Sequence, residues 1–93
     1  KYFREEDVIK VSRIMFCESS GRSKAVGYNT NGTTDVGLMQ INDSTYDWIS
    51  QKLGWYGERK DPDFNLKMSS WLFYKSGEHH WNSSAKCWKD RND

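Results

Sequence analysis

Apolar residues recur at three- and four-residue intervals through Val8, Val11, Ile14 and Met15, the period of one face of a helix. Glu5, Glu6 and Asp7 precede the run, where the positive end of a helix dipole favours acidic side chains, and Ser19-Ser20-Gly21 stops it. A helix over 4–19 follows, with Glu18 in its last turn on the same side as Val11, Ile14 and Met15. The period then changes. Tyr28-Asn29-Thr30 and Thr33-Thr34-Asp35 flank Asn31-Gly32, the favoured pair for a two-residue type I′ turn. This predicts a hairpin over 26–36 with Thr30 opposite Thr33, Asn29 opposite Thr34 and Tyr28 opposite Asp35. In that register Asn29 and Asp35 point to opposite faces.

Gly37-Leu38-Met39-Gln40-Ile41 is largely apolar and is expected to be buried. Ser44-Thr45-Tyr46-Asp47 has capping-box spacing and predicts a helix from Ser44 to Lys52 or Leu53, closed by Gly54. Asp61-Pro62-Asp63 opens another, with Phe64, Met68, Trp71 and Leu72 as its inward stripe and Gly77 as its stop. A short last helix is expected over 83–88. The order of helix, hairpin, then helices reads as α+β, mostly helical with one small antiparallel sheet.

The length of 93 residues suits one domain over 1–93, near the lower limit for a self-sufficient core. The chain begins at Lys1, so a mature form or a domain of a longer protein is expected. Fourteen basic and 13 acidic residues leave a net charge of +1, too weak a field to announce a nucleic-acid partner. No apolar run approaches the roughly 20 residues of a membrane span. Five Trp, five Tyr and four Phe argue for a folded chain, since disordered segments are poor in aromatics. Cys17 and Cys87 either pair as a disulfide or stay as two buried thiols. Adjacent His79 and His80 have no Cys or carboxylate cluster to complete a metal site and read as a surface loop, so neither metal nor cofactor is expected. Lys86, Lys89 and Arg91 form a small basic tail.

Two carboxylates stand in contrasting settings. Glu18 lies on an apolar face at the negative end of a helix, and both features disfavour its charged form. Asp35 lies on a polar strand among hydrogen-bonding neighbours. Glycoside cleavage needs this asymmetry: one carboxyl delivers a proton to the leaving oxygen, and the other stabilises or traps the sugar cation.

The run Glu18-Ser19-Ser20, Ala25 and Asn29 through Asp35-Val36-Gly37-Leu38-Met39-Gln40-Ile41-Asn42 resembles the active-site core of c-type lysozymes. Gly-Leu-Met-Gln-Ile followed by Ser-Thr is even more similar to soluble lytic transglycosylases and phage-tail lysozyme domains. All belong to the lysozyme-like superfamily. The strong likeness covers 18–42, and a weaker one continues through Asp61-Pro62 to Trp81 and Cys87. It implies a peptidoglycan-degrading muramidase, with Glu18 as catalytic acid and Asp35 as catalytic carboxylate. It implies that Trp81 packs over the acid, Gln40 and Asn42 contact the sugar, and Asn29 helps orient Asp35. Tyr46 and Trp48 are candidates for stacking on sugar rings. A monomer acting at the cell wall, outside the cytoplasm and of phage or bacterial source, is expected. The chain departs from c-type lysozymes in length, in its fewer cysteines and in the placement of Cys17. Lytic transglycosylases usually lack the aspartate. A transglycosylase with Glu18 as sole acid and base, and a non-catalytic wall-binding or virion-assembly module, are the alternatives.

Overall fold

The computed structural model describes residues 2–89; Arg91 of the basic tail lies outside them. A 3-10 turn at Glu5–Asp7 leads into α1 (Val8–Ser19). Strands β1 (Val26–Tyr28), β2 (Thr34–Val36) and β3 (Ile41–Asn42) form an antiparallel sheet in the order β1-β2-β3. Then come α2 (Asp43–Leu53), α3 (Pro62–Ser76), a 3-10 segment (Glu78–Ser84) and α4 (Ala85–Trp88). The fold is α+β, mostly helical with one small antiparallel sheet, as expected.

The expected hairpin register is corrected by one residue. Tyr28 pairs with Thr34 and Gly27 with Asp35. A type I′ turn needs positive φ at both central residues, and only Gly32 adopts it, at 88°. The Asn31 side chain instead accepts hydrogen bonds from the Thr33 N–H and hydroxyl. The loop therefore holds three residues, closed by Asn29 N–H to Thr33 O at 2.9 Å and Gly32 N–H to Asn29 O at 3.0 Å. The extra residue reverses the facing of Asn29, which now shares a side with Asp35.

The start of α2 is also corrected. Its cap is Asn42, whose side-chain oxygen accepts from Ser44 N–H at 2.9 Å, in place of the expected Ser44. Gly54 ends α2 with φ 74°, and Asp61 caps α3 by accepting from Asp63 N–H. Both ends lie where glycine and Asp-Pro placed them.

The core gathers Val11 and Ile14 of α1, Leu38, Met39 and Ile41, Ile49 of α2, Met68 and Leu72 of α3, and Trp81 and Trp88. Each such side chain contributes roughly 1.5–3 kcal/mol when withdrawn from water. Asn65, fully buried in α3, ties the segment after β2 to that helix. It accepts from Met39 N–H and donates to Val36 O and Arg59 O at 3.0, 3.0 and 2.9 Å. Gly37 makes the approach possible: with φ 91°, a Cβ there would collide with Asn65 and with Arg59 O. The Cys17–Cys87 disulfide joins the end of α1 to α4 across 70 positions of sequence.

Candidate active site

An open cleft of about 630 Å³ runs between the end of α1, the sheet and the 3-10 segment. Glu18 and Asp35 both line it.

Glu18 reaches the cleft because α1 ends immediately after it. Ser20 takes the left-handed conformation (φ 57°) and donates its N–H to Phe16 O. The buried Ser19 hydroxyl donates to Met15 O and accepts from Gly21 N–H, which braces the turn. The chain swings away and leaves the half-buried Glu18 side chain on the cleft wall. Burial pushes its carboxyl above the ordinary glutamate value; a hydrogen bond from Ser84 pulls it down, and the neighbouring Asp35 pushes it up. The Ser84 hydroxyl lies 2.5 Å from Glu18 Oε2.

Asp35 sits mid-strand in β2, directly opposite Asn42 of β3. Asn42 Nδ2 donates to Asp35 Oδ1 at 2.7 Å and to Thr33 Oγ1 at 2.9 Å. Asn29 Nδ2 donates to the same Thr33 oxygen at 3.2 Å. Asn29, Thr33, Asp35 and Asn42 thus form one polar wall of the cleft. Both amide hydrogens of Asn42 are engaged and its oxygen caps α2, so this side chain is fixed in place.

Gln40 also lines the cleft. Its φ of 54° is unusual for a residue with a Cβ. Its side-chain amide donates to Ala25 O and Gly37 O at 3.1 and 3.0 Å, which holds the conformation. Trp81 closes the floor, 3 % exposed, with its indole N–H donated to Met39 O at 2.8 Å.

A family model described as the transglycosylase SLT domain matches residues 4–88. The chain belongs to the transglycosylase SLT domain family. The match runs from the first 3-10 turn through Trp88 and so covers both carboxylates and the cleft. The family is part of the lysozyme-like superfamily and acts on peptidoglycan. Comparison with curated proteins and with solved structures gives no significant match.

Of the side chains singled out in the sequence, this SLT domain brings Glu18, Asn29, Asp35, Gln40, Asn42 and Trp81 to one cleft. Tyr46 and Trp48 are not among its lining residues. Tyr46 packs edge-on against Phe64 and hydrogen-bonds the Gly57 backbone. Trp48 of α2 packs against Trp71 of α3. Their helix meets the cleft only through its cap, Asn42, and Thr45, and that does not bring their rings to it. His79 and His80 stack on one another, ring centroids 4.1 Å apart; among the described residues no His, Cys, Asp or Glu cluster has the arrangement to hold a metal.

Thr33, His80, Ser83 and the exposed Tyr28 also line the cleft and Ser84 binds Glu18, although no motif in the sequence marks them as site residues. One signal was available for Ser84. Trp81, Ser84 and Trp88 follow i, i+3, i+7 spacing, which puts a hydroxyl on the apolar face of the C-terminal segment.

Proposed function

We propose that this SLT domain is a muramidase that hydrolyses the β-1,4 bond between N-acetylmuramic acid and N-acetylglucosamine. The observation that carries the reading is the pairing of two carboxyls of unlike surroundings on one cleft. Glu18 is half-buried, with its carboxyl pushed toward the protonated form; Asp35 is held by a side-chain amide. In this reading Glu18 gives its proton to the departing glycosidic oxygen. Asp35 stabilises the positive charge that develops on the sugar, or bonds to it. Glu18, now a carboxylate, then takes a proton from the water that completes hydrolysis, and the starting state returns.

The remaining cleft residues have roles that follow from their bonds. Asn42 fixes the Asp35 rotamer. Asn29 and Thr33 extend that network toward the rim. A Cβ on Gly27 would stand 2.9 Å from Gln40 Oε1, so glycine there leaves room for the Gln40 side chain. Trp81 provides an apolar floor that withholds water from the acid. The chain acts as a single domain, and the Cys17–Cys87 disulfide supports a place of action outside the reducing cytoplasm.

The family match favours a second reading. A lytic transglycosylase would use Glu18 alone, first as acid and then as base for ring closure by a hydroxyl of the same muramic acid. Mass spectrometry of products from purified peptidoglycan separates the two. Reducing muramic acid ends support hydrolysis, and Asp35→Asn should then lose most activity. Anhydro-muramyl ends, with Asp35→Asn unimpaired, replace the hydrolase reading with the transglycosylase one.

A further inference from the structure

A carboxyl that gives up a proton and regains it within each cycle must keep its place in both states. Around Glu18 one hydroxyl is arranged to do this. Ser84 Oγ lies 2.5 Å from Glu18 Oε2, 3.1 Å from Trp81 O and 3.0 Å from Trp88 Nε1. A serine hydroxyl has one hydrogen and two lone pairs, an indole N–H only donates, and a carbonyl only accepts. Trp88 therefore always fills one lone pair. That leaves one hydrogen and one lone pair to be divided between Glu18 and Trp81.

The division works in either direction. With Glu18 protonated, its O–H donates to Ser84 Oγ and the serine hydrogen turns to Trp81 O. With Glu18 ionised, the serine hydrogen turns to Glu18 Oε2. Trp81 O then keeps the Trp88 indole N–H as a partner at 3.3 Å. Every polar group stays satisfied in both arrangements, and only a hydroxyl hydrogen rotates. The frame around the pair is rigid: Cys17 beside Glu18 is bonded to Cys87, three residues beyond Ser84.

We propose that Ser84 is a positioning residue for Glu18, reversing its hydrogen bond as the carboxyl changes protonation state. The inference rests on the reading of Glu18 as the acid. It adds that the acid is steered from the C-terminal segment rather than from the sheet that carries Asp35. The other titratable side chains facing this cleft are Asp35 from β2, Tyr28 from β1 and His80 from the 3-10 segment.

Ser84→Ala removes all three contacts of the hydroxyl. Trp88 Nε1 retains Trp81 O, so the local packing has a partner to fall back on. Ser84→Thr keeps the hydroxyl on the same carbon. The test combines kcat and KM against pH on soluble peptidoglycan fragments with a carbon-13 titration of the Glu18 carboxyl, in the wild type and both variants. Ser84→Ala should lower kcat about tenfold, the scale of one charge-assisted hydrogen bond, with little change in KM. It should also move the Glu18 titration to higher pH, because the bond it removes favours the ionised form. Ser84→Thr should restore both. An unshifted Glu18 titration in Ser84→Ala, or a shift that Ser84→Thr leaves in place, overturns the proposal. Full activity in Glu18→Gln sinks the acid assignment instead, and the titration still reports on the hydrogen bond by itself.

Discussion

Asn42 Nδ2 stands 2.7 Å from Asp35 Oδ1 while the oxygen of the same amide caps α2. One side chain thus fixes a cleft carboxylate and begins the following helix. The two tasks separate by substitution. Asn42→Ala should lose the cap, at about 1 kcal/mol, and also lose activity. Asn42→Ser keeps a capping oxygen but lacks the reach to Asp35. It should unfold within a few tenths of a kcal/mol of the wild type yet show the same loss of wall-clearing rate as Asn42→Ala. Urea denaturation and a turbidity assay on the two variants check this. Equal activity in Asn42→Ser and the wild type would remove Asn42 from the support of Asp35.

The disulfide closes a loop that takes in most of the chain. On the chain-entropy model such a link stabilises by about 4 kcal/mol, a large share of what a core of this size provides. Denaturant unfolding with and without reductant should differ by that order. Because Cys17 adjoins Glu18 and Cys87 lies in α4 with Trp88, activity should fall on reduction even at denaturant concentrations where the fold persists. A reduced protein of unchanged midpoint would contradict this account of how α1 and α4 are joined.

Local chemistry made the helix ends readable. Gly54, Gly77 and Asp61-Pro62 mark their elements because conformation at those points depends on the residue itself. The meeting of Glu18 and Asp35 on one cleft was also legible, through periodicity joined to the resemblance of 18–42. The hairpin register was not. Asn31-Gly32 favours a two-residue turn in isolation, and the side-chain bonds of Asn31 to Thr33 select the longer loop. Asn65 left no trace either. It follows Phe64 in a helix of mixed pattern, and its burial depends on three backbone groups, two of them 26 and 29 positions away. Ser84 meets Glu18 across 66 positions, a distance that only the folded chain closes.

Burial of Glu18 has a consequence for stability. Its carboxyl is held above the ordinary value of 4.5 in the folded chain. The folded state therefore binds the proton more tightly than the unfolded state does. The contribution of this group to stability is fully present below about pH 4, the unfolded range, and is lost as pH rises through the folded value. Glu18→Gln carries no charge to desolvate. Its unfolding free energy should gain on the wild type from about pH 4 upward and level off above the folded value. Denaturation midpoints measured between pH 3 and 8 test the sign (the range brackets the ordinary glutamate value). A difference between the two proteins that stays constant with pH would mean Glu18 titrates alike in both states.

The most direct test of the central claim is release of soluble fragments from purified peptidoglycan by Glu18→Gln beside the wild type, with both shown to be folded. The amide matches the carboxyl in shape but has no acidic proton to give. The account predicts that fragment release falls by at least about a hundredfold, the usual worth of one general acid, while the variant unfolds at least as late as the wild type at neutral pH. Release at the wild-type rate by a folded Glu18→Gln protein would contradict it.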